Sequence, residues 1–324
     1  MELTVSSSPH IRSGDSTRRI MIDVLISLAP ALAAGVIFFG LRALALALVS
    51  VAAAVAAEWL WRRLAWQYST ISDCSAAVTG LLLALTLPAT VPYWMAALGA
   101  AFAVVVVKGC FGGLGQNVFN PALAARALLL LCFPAAMTRF AVPGAQLPLL
   151  GAVDAATAAT PLHTMVMPAL PEQSLLDLSL GRTGGSMGEV SALALLLGGA
   201  YLVWRRVIKL RIPLTYLGTV AVLTLIFSRG QDHLLWMLYQ LLSGGLLLGA
   251  IFMASDYATS PATPGGQVLY GVGCGVLTVV FRYTGLYPEG VTYAILLMNA
   301  GSWLLERFTP TRLFGAPQRK GGLR

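Results

Sequence analysis

Met21-Ile22-Asp23-Val24-Leu25-Ile26-Ser27-Leu28-Ala29-Pro30-Ala31-Leu32-Ala33-Ala34-Gly35-Val36-Ile37-Phe38-Phe39 is the stretch on which the fold class turns. Asp23 is its single ionisable residue, and no polar face repeats along it. A surface helix of a soluble domain carries such a face. About 20 apolar residues cross the hydrocarbon of a bilayer as a helix. Arg12, Arg18 and Arg19 precede the run as they would in a secretory signal. The run is long, however, and no clean small-residue cleavage site follows it, so it reads as a first transmembrane helix.

The rest of the chain extends that reading. Ala43–Leu60 and Leu234–Ala254 have the same character. Across 324 residues, 57% are hydrophobic and only 10% charged, against roughly 25% charged in soluble domains. The formal net charge of +8 does not point to nucleic acid, because the basic residues cluster between apolar segments rather than along one stripe. Cys74, Cys110, Cys132 and Cys274 form no CxxC pair and read as small apolar residues. His10, His163 and His233 match no metal spacing, and no metal site is expected. No phosphate loop, dinucleotide fingerprint, HExxH or nucleophile elbow is present.

The hydropathy predicts an all-α polytopic membrane protein with about ten transmembrane helices, at 20–39, 43–60, 74–90, 93–110, 120–137, 190–204, 212–228, 233–254, 267–284 and 289–305. With the N-terminus inside, fifteen Lys and Arg fall in inside segments, Lys108 among them. Five fall outside: Arg42, Arg139, Arg182, Arg229 and Arg282. That asymmetry obeys the positive-inside rule, and Trp59, Trp61, Trp66, Trp94, Trp204 and Trp303 lie where an aromatic belt would. The organisation expected is a cytoplasmic segment 1–19, a first transmembrane half 20–137, an outside loop 138–189, a second half 190–305 and a basic cytoplasmic tail 306–324. Five spans per half would oppose the halves, as in inverted-repeat transporters. Each half contains an interrupted stretch, Leu87–Pro92 and Thr259–Gly265, of the kind that lines a cavity.

Three stretches carry chemistry. Asp154-Ala155-Ala156-Thr157-Ala158-Ala159-Thr160-Pro161 is small and hydroxyl-bearing, and on residue chemistry alone a plain loop with an Asx-turn accounts for it. Gly115-Gln116-Asn117-Val118-Phe119-Asn120-Pro121-Ala122 opens a helix, with Asn120 as its N-cap and Pro121 in its first turn. Backbone N–H groups at such a start also hold anions or a polar ring edge. Arg126 lies within the same predicted span and needs a partner there; a flavin phosphate, a flavin carbonyl or a carboxylate would each serve. Ser255-Asp256-Tyr257 follows a span at the inside face. Asp23, Glu58, Asp73, Glu189 and Glu289 are acids near the membrane, with helix capping or snorkelling as the alternative to an ion path.

The stretch 115–122 with Arg126, Gly188–Ala194, Phe252–Asp256 with Thr259-Ser260-Pro261, and Tyr287–Asn299 together resemble a known family over nearly the whole chain. It contains the D subunit of the Rnf electron transport complex and, more distantly, the B subunit of the sodium-pumping NADH:quinone oxidoreductase. The resemblance implies an electron relay in a bacterial inner-membrane complex that couples ferredoxin:NAD oxidoreduction to translocation of Na+ or H+. It implies FMN joined through its phosphate to Thr160 in the motif that includes Asp154 and Thr157, which makes the chain a flavoprotein and a phosphoprotein. Ala158 stands where glycine is common, and Thr157 and Thr164 are competing acceptors. A noncovalent riboflavin deeper in the bundle would accompany the FMN, with Asn117, Asn120 and Arg126 as candidate flavin-pocket residues. Linkage through the phosphate leaves the isoalloxazine ring free for redox work. The implied partners are the A, B, C, E and G subunits, the bilayer, and a flavin transferase that acts outside, where the charge rule puts Thr160. The family's fold is similar to that of urea transporters, whose signature Leu87–Pro92 resembles. The alternatives are a urea-transporter-type channel and a cofactor-free scaffold, neither of which needs an acceptor loop.

Overall fold

The computed structural model describes residues 16–310 except 67, 69, 146, 150, 152–159, 167–170, 172, 231 and 286–289, with the side chains of 163 and 166 also omitted. Asp154, Thr157, Glu289, the N-terminal fifteen residues and the tail from 311 lie outside the described residues.

The described residues form helices joined by loops, with no β-strand among them. In order, its helices are α1 (Thr17–Phe39), α2 (Leu41–Leu64), α3 (Ser75–Thr86), α4 (Tyr93–Phe102), α5 (Pro121–Cys132), α6 (Pro134–Met137), α7 (Pro161–Val166) and α8 (Leu175–Leu180). Then follow α9 (Ala192–Trp204), α10 (Arg211–Ile226), α11 (His233–Leu242), α12 (Leu246–Leu248), α13 (Pro264–Thr284), α14 (Val291–Ala300) and α15 (Ser302–Phe308). Two π-helical stretches, Ala103–Gly109 and Gly249–Met253, continue α4 and α12.

Local chemistry sets the ends. The Ser16 hydroxyl caps α1 by accepting from the Arg19 N–H at 3.3 Å. Gly40, at φ +73°, turns the chain directly into α2, a conformation a side chain would oppose. Asn120 Oδ1 accepts from the N–H groups of Ala122 and Leu123, as the N-cap reading requires.

Helices α1, α2 and α13 are each long and apolar enough to cross a membrane. The chain is therefore a membrane protein built of apolar helices. Helices occupy every one of the ten predicted stretches, but several are shorter than a span. The expected span 233–254 is two helices bent by 63° at Ser243–Gly245. The expected span 74–90 is helical only to Thr86.

Close packing at small residues holds the bundle. α2 packs on α3 and α4, α1 on α9, and α10 on α13. The Ser50 hydroxyl donates to the Gly80 carbonyl at 2.7 Å where α2 crosses α3. Gly271 and Gly275 of α13 lie against Thr215 and Thr219 of α10. Small residues four apart let helix backbones approach in a membrane.

Each break is closed by an arginine that charge counting places in an outside segment. Arg42 is 2% exposed and donates to the carbonyls of Ala89, Pro148 and Val91 at 3.0, 2.8 and 3.5 Å. Arg282 is 3% exposed and donates to the Gln240 and Ser243 carbonyls at 2.6 and 3.1 Å. Interrupted backbone frees carbonyls that hydrocarbon cannot satisfy, and a guanidinium supplies several donors in one plane. Arg42→Met is expected to destabilise the chain by about 1–3 kcal/mol per carbonyl left unsatisfied, read as a lowered thermal midpoint in detergent.

The end of the expected outside loop is also inside the protein. Thr183–Val190 is a buried irregular segment, and its Met187 and Gly188 N–H groups donate to the Leu87 and Leu85 carbonyls at 3.1 and 2.7 Å. It caps the C-terminal end of α3 and carries Glu189 into the bundle.

Candidate functional site

Two cavities lie at opposite ends of α3. The first, a narrow cavity of about 90 Å³, is lined by Ser75, Lys108, Asn117, Asn120 and Asp256 among apolar side chains. The π-helical continuation of α4 places Lys108 in its wall, where Nζ donates to Glu58 Oε1 at 2.7 Å and to Ser75 Oγ at 2.6 Å. Charge counting puts Lys108 among the inside loop residues; it is instead 3% exposed and paired with a carboxylate equally buried. Glu58 Oε1 also accepts from the Thr70 hydroxyl at 2.8 Å. A buried cation needs such compensation.

Asn117 and Asn120 both line this cavity, but they differ in what they have left to offer. Asn120 is committed to its cap and to the Met253 carbonyl, 3.3 Å from its Nδ2, which ties α5 to the second π-helix. Asn117 Nδ2 donates to the Phe119 carbonyl at 3.1 Å, while its Oδ1 is buried without a hydrogen-bond partner among the described residues. An orphan acceptor in a cavity wall suits a ligand N–H or hydroxyl. Asp256, in the loop after the π-helix, has its carboxyl raised above the usual range by burial, with the Ala258 N–H and the Thr259 hydroxyl opposing that shift.

Arg126 is not in that wall. It lies six residues beyond Asn120, about 9 Å along α5, and its Nη1 is 3.3 Å from Glu189 Oε1. Of the three partners the sequence allows, the structure supplies the carboxylate. The pair rests on glycine: a Cβ at Gly245 would stand 2.5 Å from Glu189 Oε1 and 3.7 Å from Arg126 Nη1.

The second cavity, a cleft with only about 10 Å³ of room, lies here and is lined by Thr160, Thr183, Gly185, Glu189, Ser243 and Gly244, among others. Thr160, the first described residue after 152–159, is half-buried and immediately precedes α7. The Ser243 hydroxyl is buried and, among the described residues, has no hydrogen-bond partner. Arg282 stands behind, its Nη2 3.6 Å from where a Gly244 Cβ would be. Thr160 thus shares a small polar pocket with Glu189 and an orphan hydroxyl, with two buried guanidinium groups at its back.

Sequence reasoning does not find Ser243 or Arg282. Both depend on the bend between α11 and α12, and only the Ser-Gly-Gly triplet hints at a break there. Among the four cysteines, Cys274 is buried, but Cys110 and Cys132 are exposed on the bundle surface.

Residues 4–315 match the model of the family described as NQR2, RnfD, RnfE. Over 328 aligned residues the chain is 48% identical to the D subunit of the Na(+)-translocating ferredoxin:NAD(+) oxidoreductase complex of Acetobacterium woodii, an alignment covering 99% of this chain and 98% of that one. It is 40% identical to the D subunit of the proton-translocating ferredoxin:NAD(+) oxidoreductase complex of Clostridium ljungdahlii, over 96% of each chain. It is 34% identical to the D subunit of an ion-translocating oxidoreductase complex of Escherichia coli, covering 99% of this chain and all of that one.

Proposed function

This chain belongs to the NQR2, RnfD, RnfE family, and from that premise we propose that it is the D-type membrane subunit of an ion-translocating ferredoxin:NAD oxidoreductase, carrying FMN on Thr160. The observation that carries the flavin assignment is the pocket beside Thr160. A phosphodiester on the Thr160 hydroxyl is an anion with free acceptor oxygens. The orphan Ser243 hydroxyl offers a donor and Arg282 offers positive charge from behind Gly244, while Arg126 balances the Glu189 carboxylate that also lines the pocket. Charge-assisted contacts of this kind suit phosphate. The bound flavin supplies the redox chemistry. The chain supplies an anchor, a small polar pocket and fixed charges.

We assign the second, noncovalent flavin to the neighbourhood of the first cavity, on the ground that Asn117 lines it with a buried Oδ1, unpartnered among the described residues, amid mostly apolar side chains; the cavity would have to widen to admit the ring. The buried Lys108–Glu58–Ser75 group adjoins the same cavity and is the reason to place part of an ion route there. The five-plus-five inverted arrangement is supported by matched packing: α2 lies on α4 in the first half, α10 on α13 in the second, and the short helices α5 and α14 meet between them. In the proposed orientation both termini are cytoplasmic and Thr160 faces the periplasm, as the distribution of Lys and Arg favours. The other subunits of the complex and a flavin transferase are the partners.

Peptide mass spectrometry of membrane-purified protein tests the attachment. An increment equal to FMN less water is expected on the peptide holding Thr160 and is expected to vanish in Thr160→Val. An unmodified peptide from a host that flavinylates related proteins would remove the claim and favour a channel or scaffold.

A further inference from the structure

The end of α9 departs from what backbone economy favours. The helix closes with the Val207 N–H donating to the Leu202 carbonyl at 2.9 Å and the Arg206 N–H to the Val203 carbonyl at 3.0 Å. That pattern places one residue in the left-handed region, where glycine is usual. Here the residue is Arg206, at φ +59°. An arginine held where glycine fits more easily points to a use for its side chain.

Its surroundings indicate the use. Trp204-Arg205-Arg206-Val207-Ile208-Lys209-Leu210-Arg211 joins α9 to α10, and no acidic residue occurs from 190 to 231. Asp23 engages Arg205 at 3.1 Å. Among the described residues, no acid pairs with Arg206, Lys209 or Arg211, and all three are exposed. Trp204, Ile208, Leu210 and Pro213 alternate with these cations and line an open groove of about 430 Å³ between α9 and α10. The groove is floored by Gly199 and Ile251 and is almost wholly apolar. Trp204, 77% exposed at its rim, is the residue type that settles at a membrane–water interface.

We infer that this groove binds one anionic glycerophospholipid, with an acyl chain between α9 and α10 and the phosphate on Arg206, Lys209 and Arg211. An acyl chain alone would need the groove but not the cations. A free phosphate would need the cations but not the groove. The pairing of the two, with Arg206 held in a glycine conformation between the groove residues Trp204 and Ile208 along the chain, selects a lipid with a charged head. Basic pockets between membrane helices recognise such heads.

The test uses the full chain in nanodiscs of phosphatidylcholine containing one tenth phosphatidylglycerol, released into native mass spectrometry. Retention of phosphatidylglycerol over phosphatidylcholine is expected. Arg206→Gly suits the local backbone and is expected to fold at least as well, yet to hold phosphatidylglycerol about fivefold less. Arg206→Lys is expected to keep it, and Arg206→Gly with Lys209→Gln and Arg211→Gln to lose the preference altogether. Equal retention of the two lipids overturns the inference. So does Arg206→Gly with a raised thermal midpoint and undiminished phosphatidylglycerol, which would leave Arg206 a helix cap only. In the assembled complex, a phosphatidylglycerol with a photoreactive acyl chain should label the groove. Labelling of the isolated chain but not of the complex would mean that another chain covers the groove, and would also overturn it.

Discussion

Glu189→Ala is expected to destabilise the folded chain by about 3–5 kcal/mol, the range for removing one partner of a buried ion pair. Glu189 and Arg126 have side chains only 3% and 7% exposed, and they meet at 3.3 Å inside the bundle. Loss of the carboxylate leaves a guanidinium in a low-dielectric interior whose other nearby groups include Gly245 backbone and the buried segment Thr183–Val190. The measurement is thermal unfolding of purified protein in detergent, followed by size-exclusion fluorescence. Arg126→Met combined with Glu189→Met is expected to recover most of the loss, because apolar groups of similar volume replace a buried pair at little cost. If the single variant unfolds like the parent, the pair carries no structural role. A double variant that recovers its midpoint but no longer retains flavin on Thr160 would separate the pair's part in the pocket from its part in the fold.

Gly198→Leu is expected to cost at least about 3 kcal/mol, the upper end for overpacking a filled core. A Cβ at Gly198 would overlap the Ser27 carbonyl oxygen and stand 3.1 Å from Phe252 Cζ. The first obstacle is backbone and cannot rotate away, so α9 must part from α1. Gly218→Ala in α10 is the control. A Cβ there meets nothing within 4 Å, and the substitution is expected to stabilise the helix by about 0.5–1 kcal/mol. Unfolding midpoints of the two variants should move in opposite directions. A neutral Gly198→Leu would show that the α1–α9 crossing is loose.

Much of the fold is legible in the residues because bilayer hydrocarbon imposes a simple rule: long apolar runs become helices. The stretch Met21–Phe39 forms α1 within a few residues at each end. Asn120 and Pro121 declare the start of α5, because capping is chemistry between near neighbours. The charges are a different matter. Counting Lys and Arg treats each as solvated, and Arg42, Lys108 and Arg282 are all buried. Their partners are the Ala89 carbonyl, the Glu58 carboxylate and the Gln240 carbonyl, 47, 50 and 42 residues away along the chain.

The candidate site divides along the same line. Composition, helical runs, the small hydroxyl-bearing stretch before Thr160 and the cap at Asn120 are local properties, and the sequence alone determined them. Tertiary structure decided that Asn117 lines a cavity from which Arg126 is absent, that the Glu189 carboxylate answers Arg126, and that Ser243 and Arg282 stand near Thr160. In each case the reason is that an interrupted helix frees backbone groups and buries charge, and no single segment holds the partners to satisfy them. Those partners are fixed only when α3, α5, α11 and the segment Thr183–Val190 pack together.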